Sequence, residues 1–334
     1  MQHVAPINFQ EARDFGSTMN VTYRFIRQNM KGLGKSLLFF AAPAVLLGSV
    51  FYHEVFSRML SIARTEGMYG VASPFGADEY FTSLSFWISL LAALVFMLIG
   101  GVFTVSTTHA YILVYQERPT PQIDLGEVWK RSRGLFVRTF TTMFMYYMGM
   151  STAMGMLLIP VGLIMFVTGL VSPMLSGISM LLYYVGMLVL CIYFAMLFFI
   201  RNKEKIGFFP ALSRLTRITK GKFWNTVLIG GVNIYIQMVF SFLFLLPWYI
   251  YFLVTYLHDI SAEPLASPGL LQEILSTAMF MIYSIASILL VAIPLVALAI
   301  QYYNLSERTE SKGLLARIEE FGQELHVEQS HEDY

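Results

Sequence analysis

The sequence predicts an all-α integral membrane protein with six transmembrane helices. Of its 334 residues, 56% are hydrophobic and 13% are charged, and the mean hydropathy is +0.62. An ordinary soluble domain is about 25% charged. A helix needs roughly 20 apolar residues to cross the hydrocarbon core of a bilayer. Six segments meet that length, at residues 33–56, 83–113, 139–168, 177–200, 224–257 and 275–303.

Amphipathic segments flank this transmembrane domain, which spans residues 32–305. Residues 9–31 place apolar side chains on one side of a helix and four basic side chains elsewhere. Residues 1–31 are therefore predicted to form a cytoplasmic, interfacial N-terminal helix. Because this segment is charged and has no apolar core, we expect no cleavable signal peptide there. Residues 306–334 are predicted to form a cytoplasmic amphipathic helix with an acidic tail.

The distribution of basic residues predicts the orientation of the chain in the membrane. Alternate sides of the six segments hold 20 and 2 lysines and arginines. Under the positive-inside rule, the richer side is cytoplasmic. We therefore expect a multi-pass protein of the bacterial inner membrane with both termini in the cytoplasm.

An internal repeat groups the six segments into pairs. When Gly134 is aligned with Gly221, Pro160 falls on Pro247 without a gap, and a basic residue precedes each glycine. Lys31 and Gly32 offer the same start to the first pair. The pattern predicts three tandem units, each an interfacial amphipathic helix, a glycine turn and a helical hairpin, related about an axis along the membrane normal.

Two prolines within the apolar segments are candidate kinks. Pro160 and Pro247 each lack a backbone N–H group, and a proline inside a helix usually bends it. One interpretation is a hinge or broken helix at a binding site. The other is a fixed bend that lets tilted helices pack against each other.

A short basic helix precedes the fifth segment. Leu212, Leu215 and Ile218 recur every three residues, and the basic residues there occupy a second register, as in a helix that lies in a membrane interface. Together with a similar stretch before the third segment, it predicts a ring for anionic lipid headgroups or an acidic partner. Alternatively, these charges serve only to orient the chain. The predicted ring consists of Lys130, Arg131, Arg133, Arg214, Arg217 and Lys220.

Two short motifs carry a resemblance to a known family. The tyrosine-rich end of the last apolar segment continues as Leu305-Ser306-Glu307-Arg308-Thr309-Glu310 before a Gly-Leu helix, and residues 214–224 join a basic helix to Lys-Gly and Phe-Trp pairs. On these residues the chain resembles an uncharacterised bacterial family, with stand-alone members in Bacteroidetes, that is related to the membrane domain of some glycerophosphoryl diester phosphodiesterases. The resemblance implies a polytopic inner-membrane protein. No catalytic residue carries over, because the fused members keep catalysis on a separate soluble barrel.

Few polar side chains lie within the apolar segments, and these are candidate functional positions. They are His109, Asn233 and Gln237. Each also has a structural interpretation: His109 as a neutral imidazole bonded to a carbonyl, the two amides as partners in hydrogen bonds between helices. The single cysteine, Cys191, implies neither a disulfide nor a thiolate metal site.

These observations favour a non-enzymatic membrane protein. The sequence has no paired carboxylates, metal constellation or nucleophile-base set, so we expect no catalytic residue, cofactor or metal. The net charge of +1 gives no reason to expect a nucleic-acid partner. The predicted function is a scaffold, or a membrane module that binds lipids, including anionic ones, or a membrane or cytoplasmic protein. The alternative is a transporter or channel for a small neutral or lipid-like substrate, which should line one continuous cavity with the polar residues.

Overall fold

The computed structural model describes residues 6–69, 77–120, 123–261 and 270–310. Within these ranges the chain folds into helices and contains no strand. The helices are α1 (Phe15–Phe40), α2 (Ala42–Tyr69), α3 (Ala77–Thr82), α4 (Leu84–Glu117), α5 (Leu125–Val171), α6 (Pro173–Glu204), α7 (Phe208–Ile218), α8 (Phe223–Ser261) and α9 (Leu270–Glu310).

Five helices, α4, α5, α6, α8 and α9, are each long and apolar enough to cross a membrane, in agreement with the predicted all-α, multi-pass architecture. The sixth candidate consists of two pieces. The helix α1 and the first part of α2 meet the same criterion only together, and they are bent by 56° at Ala41. The predicted first span, residues 33–56, is therefore divided by a bend. Pro43 explains the break, because its nitrogen has no hydrogen to donate to the preceding turn.

The first helix continues past the predicted end of the N-terminal segment at residue 31. It begins after Asp14, whose carboxylate accepts a hydrogen bond from the Ser17 backbone N–H at 2.8 Å. Its buried face includes Thr18, Phe25 and Asn29, and it packs against α9, α4 and α2. This partly polar face lies against other helices of the protein, and the predicted position of the segment at the membrane surface stays a prediction.

One end of the bundle, here called the packed end, contains most of the core. It comprises residues 6–14, α7 and the last turns of α4, α6 and α9. Aromatic rings interlock there, with centroid distances of 5.2 Å for Phe9 and Tyr303 and 5.1 Å for Phe25 and Tyr115. Because lipid tails are as apolar as side chains, close packing holds helices together in a membrane. The opposite half is looser. No residue from 143 to 171 of α5 is buried there, whereas residues 296–306 of α9, at the packed end, are all buried.

The glycine turns predicted from the repeat are present at only one of three positions. Gly221 has a φ of +73° and separates α7 from α8. Gly134 instead lies inside the unbroken α5, and Gly32 lies inside α1. A Cβ at position 32 would be only 2.5 Å from the Tyr111 hydroxyl, so this glycine allows two helices to approach closely. The prediction of three equivalent turns is therefore wrong for Gly134 and Gly32.

The predicted kink prolines lie inside continuous helices. Pro160 belongs to α5 and Pro247 to α8, and both are exposed on the surface of the bundle. A third proline, Pro294, is buried inside α9. Because α5 and α8 continue through their prolines, neither helix is broken there, and the choice between a hinge and a fixed bend stays a prediction.

The last helix extends beyond the predicted span end at residue 303. It reaches Glu310, so the motif at residues 305–310 is helical and belongs to the packed end. The predicted C-terminal amphipathic helix and acidic tail lie, from residue 311 onward, outside the described residues.

Candidate functional site

The six predicted ring residues do not form one surface. Arg214 is buried within α7, whose inner face consists of Ala211, Arg214, Leu215 and Ile218. The last three follow Ala211 by three, four and seven residues, the spacing of one helix face, and together they form the buried face of α7. The prediction that Arg214 points toward lipid is therefore wrong.

Arg214 joins three helices at the packed end. Its Nε donates to Glu204 of α6 at 2.8 Å, and its Nη1 bonds to Glu310 of α9. The Tyr302 hydroxyl donates to the same Glu204 carboxylate at 2.7 Å. The hydrogen bond to Glu310, with that to Glu204, raises the pKa of Arg214 above its ordinary value despite the opposing effect of burial. This guanidinium is a structural cross-link.

The other ring residues divide into two groups. Arg217 is exposed on α7, and Lys220 is exposed in the turn after it. Arg133 is exposed on α5 with its guanidinium 5.7 Å from the Trp129 ring centroid. Lys130 and Arg131, by contrast, line a cleft. The charges are therefore spread over the packed end, and only part of them converge.

The basic cleft lies between the last turns of α4 and α6 and the first turns of α5, and has a volume of about 480 Å³. Five basic and two acidic side chains line it, which gives a net charge of +3. Its walls consist of Leu113, Val114, Glu117, Glu127, Lys130, Arg131, Gly134, Leu135, Arg138, Asn202, Lys203 and Lys205.

Two of the five cations in the basic cleft already have protein partners. Arg131 donates to Glu117 at 2.6 Å. Lys203 donates to the Gln116 side-chain oxygen and lies 5.6 Å from the Tyr303 ring centroid.

The remaining three cations of the basic cleft carry its unbalanced charge. Within residues 6–69, 77–120, 123–261 and 270–310, Lys130, Arg138 and Lys205 have no carboxylate within ion-pair distance. The cleft therefore has positive charge that the described part of the chain does not neutralise.

Lys205 occupies its position at a conformational cost. It ends α6 with φ of 57° and ψ of 30°, the left-handed region that usually belongs to glycine at a helix end. For an L-residue this conformation costs roughly 1–2 kcal/mol. Strain of this kind is concentrated at functional sites.

A buried arginine reinforces the positive charge beside the cleft. Arg201 of α6 is 9% exposed, and its Nη1 donates to Thr142 at 2.7 Å. Its Nε is buried and has no hydrogen-bond partner in the described part of the chain. Arg138 lies close enough to repel its charge. A buried guanidinium without a carboxylate is costly, and a nearby anion would offset that cost.

His109 contacts Asn202, which lines the basic cleft, and so helps to hold this part of the wall in place. Its Nδ1 is 3.0 Å from the Asn202 side-chain nitrogen, and that nitrogen also donates to Thr139 at 3.0 Å. With the amide as donor, Nδ1 is the acceptor of a neutral imidazole. The expected backbone carbonyl is thus replaced by the amide of Asn202, a residue that lines the cleft.

Asn233 and Gln237 lie far along the chain from His109 and have separate partners. Asn233 is buried, donates to the Ile229 carbonyl at 2.7 Å and accepts from the Tyr23 hydroxyl at 3.2 Å. Gln237 donates to Ser241 at 3.1 Å. Each of these polar side chains therefore has a hydrogen-bond partner within the described part of the chain.

Sequence reasoning missed Arg138, Lys203 and Lys205 as site residues. All three are basic residues near span ends, which was a visible signal. It did not distinguish them from the other charges, because convergence depends on how α4, α5 and α6 pack.

Comparisons with known proteins give no match to a family model, to a curated protein or to a solved structure. The resemblance to the phosphodiesterase-related membrane family stays a prediction. Among the residues that the structure describes, no group of three or more His, Cys, Asp or Glu side chains could hold a metal ion.

Proposed function

We propose that this chain is a non-enzymatic membrane module that binds anionic phospholipid, with the phosphate headgroup in the basic cleft. One observation carries the proposal: Lys130, Arg138 and Lys205 face the cleft without a carboxylate partner among the described residues. A headgroup phosphate supplies the missing negative charge, and the adjoining spans would pack along its acyl chains.

The position of the cleft favours a lipid over a soluble anion. The cleft opens where three membrane-spanning helices end, which is the level of headgroups in a bilayer. Basic residues close to an anionic leaflet each contribute about 1 kcal/mol to binding. From the positive-inside count we infer that this end faces the cytoplasm at the bacterial inner membrane. A protein partner there would use the exposed Arg217 and Lys220.

A transporter remains the second candidate, and the arrangement of polar residues supports it less well. Thr107 shares a hydrogen bond with Ser132 at 3.1 Å, and Thr108 donates to the Thr104 carbonyl at 2.8 Å. Together with His109 and Asn233, these groups are satisfied inside helix contacts. A polar pathway would need them to face a common space.

Two matched triple variants test the proposal in nanodiscs that contain phosphatidylglycerol and phosphatidylcholine. The cleft variant is Lys130→Gln, Arg138→Gln, Lys205→Gln, and the control is Arg133→Gln, Arg217→Gln, Lys220→Gln. Both remove three positive charges from the same end of the protein. Native mass spectrometry then measures how much phosphatidylglycerol stays bound.

The cleft variant is expected to lose about 3 kcal/mol of binding at most, or roughly a hundredfold in affinity. The control should lose severalfold or less, because its side chains lie outside the cleft. Equal losses would mean that the charges attract anionic lipid diffusely, and unchanged retention in the cleft variant would refute a headgroup site.

A further inference from the structure

A second cavity, the membrane chamber, lies in the looser half of the bundle and shares no wall residue with the basic cleft. It has a volume of about 780 Å³, within the range of small-ligand sites, which is about 300–1,000 Å³. Helices α2, α4, α5, α8 and α9 line it, and it is partly open to the outside of the bundle. Its walls consist of Val45, Tyr52, Phe56, Met97, Gly101, Thr104, Val105, Met143, Tyr147, Leu245, Trp248, Phe280, Tyr283, Ser284, Ser287, Ile288 and Val291.

Aromatic side chains and a hydrogen-bonded tryptophan form one end of the membrane chamber. The Trp248 ring packs on Phe280 with a centroid distance of 5.7 Å, and its Nε1 donates to Ser276 at 3.1 Å. His53 Nε2 lies 2.8 Å from the same serine oxygen. These contacts hold the rim of the chamber in place, as expected of a pre-formed site.

Besides the tyrosines, three serine and threonine hydroxyls line the walls formed by α4 and α9, and two of them are already used. Thr104 donates to the Gly100 carbonyl at 2.8 Å, and Ser284 donates to the Phe280 carbonyl at 2.9 Å. These bonds stay within one helix turn, so both hydroxyls are satisfied without a ligand. The walls around them are mostly carbon.

The third hydroxyl, that of Ser287, is buried and has no hydrogen-bond partner in the described residues. It lies on α9 about 10 Å deeper than Phe280, at 1.5 Å per residue. A serine in a membrane helix ordinarily bonds to the carbonyl four residues earlier, here that of Tyr283. A polar group left unpaired inside hydrocarbon is unfavourable, so the position calls for an external partner.

We propose that the membrane chamber binds a long apolar molecule that carries a carbonyl group, with the carbonyl oxygen accepting a hydrogen bond from Ser287. A carbonyl suits the site better than a hydroxyl, because it brings no donor that would itself need a partner in the apolar wall. Isoprenoid quinones and neutral fatty-acid esters share this chemistry, because both carry carbonyl groups and no donor. The site is independent of the basic cleft.

Trp248 provides a direct readout of binding because it lines the chamber. The variant Trp87→Phe, Trp129→Phe, Trp224→Phe leaves it as the sole tryptophan of four. Three quenching probes are titrated in nanodiscs of phosphatidylcholine: a short-chain menaquinone, the methyl ester of a dibrominated stearic acid, and a dibrominated alkane of equal length. The first two carry a carbonyl, and the alkane does not.

In this background, Ser287→Ala is compared with Ser284→Ala, which removes a hydroxyl from the same helix and the same chamber. We expect saturable quenching by at least one carbonyl probe, and the stronger one identifies the source of the ligand. Ser287→Ala should weaken that probe roughly three- to tenfold, the value of one hydrogen bond. Ser284→Ala should change it less than twofold, and neither should affect the alkane.

A second variant, Val291→Phe, fills the chamber and should abolish saturable quenching in protein that elutes as the parent does by size exclusion. The proposal is overturned if the carbonyl probes quench no better than the alkane. It is also overturned if the two serine variants behave alike, or if Val291→Phe leaves saturable binding intact in folded protein.

Discussion

Replacing Arg214 with glutamine removes the cation that joins α6, α7 and α9. Arg214 is 6% exposed, whereas its partners Glu204 and Glu310 are 22% and 23% exposed. Breaking a buried ion pair from one side costs about 3–5 kcal/mol. Because solvent reaches both carboxylates and screens them, we expect a loss of about 2–3 kcal/mol in the free energy of unfolding.

Most of that loss should come from the two carboxylates left without a cation. Adding Glu204→Gln and Glu310→Gln to Arg214→Gln removes the uncompensated charges, so the triple variant should recover to within about 1 kcal/mol of the parent. Arg217→Gln, an exposed residue on the same helix, is the matched control and should change stability by less than about 0.5 kcal/mol.

Unfolding by sodium dodecyl sulfate in mixed micelles, followed by circular dichroism, compares the four proteins under one condition. The role of Arg214 as a cross-link is refuted if the free energy of unfolding of Arg214→Gln lies within about 0.5 kcal/mol of the parent. It is also refuted if the triple variant is less stable than the single one, because the cost would then arise from lost packing of the side chain.

Three further predictions follow from backbone conformation and capping. Lys205→Gly relieves the strain of the left-handed conformation, so the apparent thermal stability should hold or rise while phosphatidylglycerol retention falls. A loss of both stability and retention would mean that Lys205 has a structural role and does not bind lipid. Gly221→Ala should lower the free energy of unfolding by about 1–2 kcal/mol because of the positive φ at this position. Gly134→Ala, inside α5, should raise it by up to about 1 kcal/mol. Equal effects of the two variants in chemical unfolding would contradict the different conformations of the aligned glycines. The pKa of Asp14 lies below its ordinary value of 3.8 because the Ser17 side chain and backbone donate to its carboxylate. The stabilising contribution of Asp14 is therefore present above pH 3.8 and is lost as pH falls through the lower folded-state pKa. Asp14→Asn should lessen the acid sensitivity of unfolding, and an unchanged pH profile would count against the cap.

The sequence predicted the spanning helices well because hydropathy reports the one property that a bilayer demands. It did not predict the bend in the first span, although Pro43 gave a signal close to the break. It also overestimated the repeat. Gly221 separates α8 from α7, which Arg214 ties to α6 and α9 through ion pairs. Residues 125–133 are also tied to a neighbouring helix, through the ion pair of Arg131 with Glu117, yet they continue without a break into α5.

The candidate site was less accessible to sequence reasoning. Periodicity predicted Arg214 as exposed, because it cannot show that Glu204 and Glu310 come from other helices to neutralise it. The contact between His109 and Asn202 joins residues 93 positions apart. Long-range pairs of this kind depend on helix packing, and packing in a membrane depends on shape more than on hydrophobicity.

The segment before α1 is held by the last helix of the described fold. The backbone N–H of Arg13 donates to Asn304 at 2.8 Å, and the Arg308 guanidinium donates to the Arg13 carbonyl at 2.7 Å. These partners are nearly 300 residues apart in the sequence. A ribosome adds about 5–20 residues per second, so Asn304 is synthesised long after Arg13. The first helix and the residue before it must therefore wait tens of seconds with Arg13 and Thr18 uncovered, because both bond to Asn304. Completion of the packed end is a late event of biogenesis, and until then these polar groups are exposed to the membrane quality-control machinery.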